Sequence, residues 1–216
     1  MAAKGKAKLI DIFVWKVSTL EVLAHINNFH KGAIRKLEFS PAGDKLLSIG
    51  EDPDNSVAIY DWAHTKMLLK SPVDPDKVFD AAWKDETEFA TCGMKHVKFF
   101  SIQGGANVTV TKGIYGSVGV TPTICCLYAF PEKTFIVGTP TGDLVSWTGR
   151  NMNKAYKKHT DALWALRMVQ ENTTLLTGGN DGKLVFWDKT FTAKQVIDLT
   201  PMSQFPAGVR SLDYHE

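Results

Sequence analysis

Five short apolar runs, each ending at or just past an aromatic residue, recur along the 216-residue chain at nearly constant spacing. They are IFVWK ending at Lys16, VAIYD ending at Asp61, VKFFS ending at Ser101, LVSWT ending at Thr148 and LVFWD ending at Asp188. Their aromatic positions, Trp15, Tyr60, Phe100, Trp147 and Trp187, lie 45, 40, 47 and 40 residues apart. A unit of that length cannot cover its own apolar surface, so a chain with this period folds by stacking one unit on the next.

A second element precedes four of the runs, an apolar stretch closing on small residues: KLLSIGED, EFATCGMK, TFIVGTPTGD and TLLTGGND. A third, alternating element comes before each of these, in AIRKLEFSP, VFDAAWKD, TICCLYAFP and LWALRMVQ. A weaker run such as KMLLKS or AKQVIDL follows the aromatic run and has the profile of a half-exposed outer strand. Four strands per unit at this period predict the blades of a β-propeller. No amphipathic helix longer than two turns is predicted, because the alternation is by two and Gly or Pro interrupts it repeatedly. The fold class expected is all-β, four complete four-stranded blades plus partial blades at both ends.

The expected organisation is a flexible basic N-terminus at 1–9, with Lys4, Lys6 and Lys8, then a partial propeller over 10–216. Its units are placed at about 26–70, 71–113, 114–158 and 159–200, with partial strands at 10–25 and 208–214. The chain thus opens on a third and a fourth strand and ends on a first strand, GVRSLDY, with the second strand of that unit missing. The expectation is a piece of a larger propeller protein or a sheet completed by another chain, and open blade faces favour self-association.

Composition excludes several function classes. Twenty-five Lys and Arg against 23 Asp and Glu leave a net charge of +2, too balanced for generic nucleic-acid binding, which must neutralise many phosphates. No run nears the roughly eighteen apolar residues of a membrane span, and MAAKGKAKLI lacks the apolar core of a secretion signal, so the expected location is cytoplasmic with no membrane partner. Three cysteines, Cys92, Cys125 and Cys126, form no C-x-x-C pair and point to reduced thiols. Adjacent strand residues face opposite ways, so Cys125 and Cys126 cannot chelate together. His25, His64, His96 and His215 have no ligand spacing, and neither a metal nor a cofactor is expected.

The stretch GGNDGKLVFWD, residues 178–188, reads as two strands joined by a turn at Asn180, Asp181 and Gly182, residues that tolerate positive φ. Here the repeats resemble the WD-repeat family, which places a His before the first strand, a hydroxyl in the second, an Asp in the turn and a Trp in the third. The matching positions are His159, Thr177, Asp181 and Trp187 in the last unit, and His30, Ser48, Asp52 and Tyr60 in the first complete one. Both sets have eighteen residues from His to hydroxyl and four from hydroxyl to Asp, which lets each imidazole bridge the other two groups. The middle units depart: Val137 and Thr141 replace hydroxyl and Asp in one, and Lys95 falls near the Asp place in the other, so both are expected to lack the network. A catalytic triad is rejected, because the set recurs, its hydroxyl lies mid-strand and no G-x-S-x-G elbow surrounds it. With no phosphate-cradling loop or clustered acids either, the chain is read as no enzyme.

Partner-binding candidates are the cluster Lys154, Tyr156, Lys157 and Lys158, placed on the outer strand or loop of the third unit, and Trp62, which follows the third strand of the first. The lysines also suit the guarding of a strand edge. Trp83 and Trp164, in alternating first strands, are expected to pack between blades.

A closer resemblance extends over residues 12–212. STLEVLAHINNFHKGAIRKLEFSPAGDKLLSIGEDPDNSVAIYDW, VFDAAWKDETEFATCGMKHVKFF, GGNDGKLVFWD and IDLTPMSQFPAGVRSL are similar to segments of the echinoderm microtubule-associated protein-like family. TCGMKHVKFF discriminates best, since generic WD repeats do not favour Cys-Gly followed shortly by His. The resemblance implies a non-enzymatic cytoskeletal scaffold with tubulin or microtubules as partner. The coiled coil and hydrophobic motif that this family carries ahead of its propeller have no counterpart in these 216 residues. The alternative reading is a general protein-interaction module with a different partner.

Overall fold

The computed structural model describes residues 10–27, 29–104, 107–202 and 207–214. Lys4, Lys6, Lys8 and His215, with the N-terminus predicted to be flexible, lie outside the described residues. The chain opens with a two-stranded antiparallel hairpin, β1 (Ile12–Lys16) and β2 (Glu21–Ile26). Four four-stranded antiparallel meanders follow. The first is β3 (Ile34–Phe39), β4 (Lys45–Gly50), β5 (Ser56–Asp61) and β6 (Lys66–Pro72); the second is β7 (Val78–Trp83), β8 (Glu88–Gly93), β9 (Val97–Gln103) and β10 (Asn107–Lys112). The third is β11 (Cys125–Ala129), β12 (Thr134–Gly138), β13 (Asp143–Thr148) and β14 (Asn151–Lys157); the fourth is β15 (Leu163–Val169), β16 (Thr174–Gly179), β17 (Lys183–Trp187) and β18 (Ala193–Asp198). Two short 3-10 turns, Gly116–Val118 and Thr200–Met202, are the helical segments among the described residues. None is long and apolar enough to cross a membrane. The arrangement is a four-blade segment of a β-propeller.

Burial explains why the second strands of the sheets do not alternate. β4, β8, β12 and β16 are buried at every position after the first, because both faces are covered, by neighbouring sheets or, for one face of β16, by residues 207–214, and a strand so placed reads as a continuous run of apolar and small residues. The cores lie between sheets. Leu47, Ile59, Phe89 and Phe100 join the first sheet to the second, Val97, Phe135, Val145 and Trp147 the second to the third, and Leu144, Leu163, Leu175 and Trp187 the third to the fourth. At about 1.5–3 kcal/mol for each large side chain removed from water, these seams hold the sheets radially.

The periodic aromatics sit at a shared irregularity. The register between third and fourth strands shifts immediately before Trp15, Tyr60, Trp147 and Trp187, a bulge that sharpens local twist and re-aims the side chain. Phe100 is buried without such a shift. Trp15 is 53% exposed, whereas its four counterparts are at most 3% exposed. Its hairpin sets Ile12 and Val14 against Leu46, Ala58 and Tyr60 of the first sheet, and the opposite face of β1, with Phe13 and Trp15, has no sheet packed on it among the described residues.

Two details differ from the sequence-based expectation. In the turn after β16 only Gly182, at φ 72, has positive φ; Asn180 and Asp181 do not. Residues 208–214, expected to form a first strand, form none. They lie against the fourth sheet, where the Val209 N–H donates to the Gly179 carbonyl at 3.0 Å.

Candidate functional site

The fourth sheet brings its four motif residues into one hydrogen-bonded chain. The Trp187 indole N–H donates to Thr177 Oγ1 at 3.0 Å, Thr177 Oγ1 lies 2.8 Å from His159 Nε2, and His159 Nδ1 lies 2.9 Å from Asp181 Oδ1. A neutral imidazole protonated on Nδ1 satisfies every member: it donates to the carboxylate and accepts from the hydroxyl, which accepts from the indole. The second Asp181 oxygen accepts from the Thr160 N–H at 2.9 Å. Burial pushes the Asp181 carboxyl up, but the bonds from His159 and Thr160 outweigh it and hold the group below the usual carboxylate range.

The first complete sheet repeats the arrangement. His30 Nε2 is 2.7 Å from Ser48 Oγ and its Nδ1 is 3.2 Å from Asp52 Oδ2. Asp52 also accepts from the Ser56 N–H at 2.7 Å and the Ser56 hydroxyl at 2.6 Å. Burial lowers the His30 pKa against the opposing pull of Asp52. Burial raises the Tyr60 phenol to about 12, with the Ser48 hydrogen bond acting the other way. Each histidine ring lies against the glycine that ends the second strand: a Cβ on Gly179 would sit 2.5 Å from His159 Nδ1, and one on Gly50 would also strike His30. Glycine is needed there for close approach, not for backbone freedom.

Neither middle sheet closes the His–hydroxyl–Asp network, although the second still brings a His and an Asp together. In the second, the two partners have exchanged places along the chain: Asp74 comes from the loop before β7 and His96 from the turn after β8, with Nδ1 and Oδ2 3.7 Å apart. The His96 ring covers Gly93 as its counterparts cover Gly50 and Gly179. The exchange is imperfect. Asp74 is held by Lys98 at 2.8 Å, while both His96 nitrogens and Thr91 Oγ1 are buried without a hydrogen-bond partner. Burial lowers the His96 pKa to about 4, with Asp74 opposing. The Lys95 position offered no signal of this, because the sequence pattern fixes an order of His and Asp that space does not.

In the third sheet Val137 and Thr141 do occupy the expected places, and no imidazole covers Gly138; a Cβ there would lie 2.6 Å from Cys125 Sγ. The Trp147 indole N–H, counterpart of that of Trp187, is buried and unpartnered. Val137→Thr restores an acceptor for it, so the substitution is expected to change stability by less than about 1 kcal/mol, against a cost of about 1–3 kcal/mol for Val57→Thr in an apolar seam. Urea unfolding of the two variants checks this; equal losses would show that the hydroxyl finds no partner. Cys125 Sγ lies 3.1 Å from the Leu163 carbonyl in the fourth sheet, while Cys126 packs in the core shared with Cys92 of the second, so the adjacent thiols do face opposite ways. All three cysteines are free.

The lysine cluster lies on the outer strand of the third sheet, with Lys158 just past its end. Lys154, Tyr156, Lys157 and Lys158 line a groove of about 370 Å³ together with Trp187 and Phe191 of the fourth sheet. Tyr156 stacks on Phe191 at 5.0 Å, and Lys154 Nζ lies 5.2 Å from the Tyr156 ring centre. Lys157 approaches Asp143 at 4.0 Å while 82% of its side chain is exposed. Trp62 is not part of this cluster: its indole donates to the Gly43 carbonyl at 2.7 Å and its ring meets Phe39 edge-on at 6.0 Å, in the first sheet. Trp83 is buried and Trp164 partly so, with Arg210 4.3 Å above its ring.

A half-buried charge cluster between first strands had no signal in the repeat pattern. Lys36 Nζ pairs with Asp80 Oδ1 at 2.9 Å, and the other Asp80 oxygen accepts from the Cys126 N–H at 2.9 Å, tying three sheets together. Burial raises the neighbouring Glu38 carboxyl to about 7, with Lys36 opposing. Among the described residues no group of three or more His, Cys, Asp or Glu side chains is placed to hold a metal.

Comparison with known proteins agrees with this geometry. The family model described as "Echinoderm microtubule-associated protein first beta-propeller" matches residues 1–213. Echinoderm microtubule-associated protein-like 2 of Rattus norvegicus is 25% identical over 207 residues, covering 91% of this chain and 31% of the relative. Echinoderm microtubule-associated protein-like 1 of Homo sapiens is 24% identical over 195 residues, 87% of this chain and 24% of the relative. Cilia- and flagella-associated protein 44 of Mus musculus is 22% identical over 208 residues, 92% of this chain and 11% of the relative. The chain therefore spans a third or less of the length of these relatives. With the four stacked meanders and a family match running almost end to end, the chain belongs to the echinoderm microtubule-associated protein first β-propeller family.

Proposed function

We propose that this chain is a non-enzymatic, microtubule-associated scaffold of the cytoplasm and cytoskeleton. In this reading its groove at Lys154, Tyr156, Lys157, Lys158 and Phe191 receives acidic segments of tubulin. The observation that carries the reading is the groove itself: an aromatic floor flanked by exposed lysines, in a family whose members are named for microtubule association. Such cations steer an acidic partner and lose their effect as salt screens them. The His–hydroxyl–Asp chains serve the fold. Thr177 is fully buried and its oxygen is engaged by both Trp187 and His159, so no substrate carbonyl reaches it.

Co-sedimentation with microtubules tests the proposal. The triple variant Lys154→Glu, Lys157→Glu, Lys158→Glu is expected to bind roughly tenfold more weakly at low salt, and the difference is expected to shrink at high salt. If parent and variant partition identically, the groove is not the contact. If neither binds while a pull-down enriches another protein, the general interaction module is the better reading. Exposed apolar side chains on the β1–β2 hairpin, Phe13 and Trp15 among them, support self-association through this face as part of the same proposal.

A further inference from the structure

The outer strands of the four sheets differ in how their free edges are protected. β6 carries Lys66, Lys70 and Pro72, β14 carries Lys154 and Lys157, and β18 carries Lys194 and Asp198. Charges and prolines of this kind blunt pairing at a sheet edge. β10, with the sequence NVTVTK, has neither before its last residue, and every side chain but Val108 is exposed. It ends its sheet, in the order β10-β9-β8-β7, so a row of its main-chain N–H and C=O groups is left without a ladder partner. An exposed edge of alternating threonine and valine is a template for one more strand.

Beside this edge, between the second and third sheets, lies a cleft of about 500 Å³. Thr109 and Thr111 of β10 line it, as the period of two requires, together with Phe99, Tyr128 and Phe135. Phe135 meets Phe99 at 5.3 Å and Tyr128 at 5.0 Å, giving a preformed aromatic surface. The end of the cleft is fixed by main chain: the Ile114 N–H donates to the Arg150 carbonyl at 2.7 Å and the Met152 N–H to the Ile114 carbonyl at 2.8 Å. Lys133 and Arg150 also line it, both exposed and without an ion pair among the described residues. Of the acids there, Glu88 is already paired with Lys84, leaving Glu132 alone against the two free cations.

We propose that β10 and this cleft form a docking site for an extended acidic peptide. The peptide adds to β10 as a fifth strand, places an aromatic or leucine-sized side chain against Phe99, Tyr128 and Phe135, and sets flanking carboxylates on Lys133 and Arg150. Main-chain bonds supply the pairing, the cleft selects the apolar residue, and the cations select the flanks. This site is separate from the Lys154 groove and stands whether or not the chain binds microtubules.

The probe is a fluorescein-labelled synthetic peptide in which phenylalanine alternates with threonine between flanking aspartates, titrated into the whole chain by anisotropy. Saturable binding is expected, with slowed hydrogen exchange at the amides of β10. N-methylation of alternate peptide nitrogens is expected to abolish it. The double variant Lys133→Glu, Arg150→Glu is expected to weaken it about tenfold with an unchanged melting temperature, since both side chains are exposed. Absence of saturable binding, equal binding of the N-methylated peptide, or binding without protection of β10 would each overturn the proposal. So would protection of β10 that grows with protein concentration alone, which would assign the edge to a second copy of the chain.

Discussion

Thr177→Val is expected to lower stability by about 3 kcal/mol, because one substitution orphans two buried groups at about 1–3 kcal/mol each. The Trp187 indole loses its acceptor at 3.0 Å and His159 Nε2 loses its donor at 2.8 Å. Valine fills nearly the same volume, so little of the loss comes from a cavity. For a chain of this length, 3 kcal/mol corresponds to a fall in melting temperature of about 6–12 °C. Thr177→Ser keeps the oxygen and is expected to recover most of the loss, leaving only the cost of a missing methyl. Calorimetry of the two variants checks this. If valine and serine cost the same, the polar chain contributes nothing and packing alone holds the sheet. The third sheet already shows the consequence of a valine at this place in its unpartnered Trp147 indole.

Acidification is expected to destabilise the protein in two stages, the first centred on His96. Its folded pKa is lowered from 6.5 to about 4 by burial, so between those values the unfolded chain binds the proton and the folded chain does not. Stability is full above about pH 6.5 and falls as pH drops toward 4, by at most about 1.4 kcal/mol per unit and roughly 3 kcal/mol in all. His30, also lowered by burial, acts in the same direction. The groups facing His96 are Asp74 and Asp76, which favour the proton, and Lys98, which opposes it. The second stage has the carboxylate sign. Asp52, Asp74 and Asp181 are held below 3.8 in the fold, and their contribution is lost as pH falls through and below that value. His96→Leu is expected to flatten the first stage while changing stability little at pH 7, since neither ring nitrogen has a hydrogen bond to lose. Urea midpoints at pH 7 and pH 5 decide it, and an unchanged slope in the leucine variant would remove His96 from the account.

These effects trace how far the sequence reaches. The spacing of Tyr60, Phe100, Trp147 and Trp187 announces the radial stack, because each ring fills one inter-sheet seam and the seams repeat with the unit. The sets at His30 and His159 are equally legible, since their order along the chain matches their order in space. His96 and Asp74 are not, because they reach the same place from opposite loops. Trp15 shares the motif and lacks the burial, since a ring is covered by a neighbouring sheet and not by its own run.

By itself the sequence determined the all-β repeat, its period and the residues that recur within it, because strand alternation and turn chemistry are local. Only the tertiary structure decided which histidines are satisfied, that Lys154 and Phe191 share a groove, and that the edge of β10 stands open beside an aromatic cleft. The first depends on how loops distant in the chain meet, the groove and the cleft join groups from different sheets, and the distance between sheets is set by how their seams pack, which no single repeat encodes.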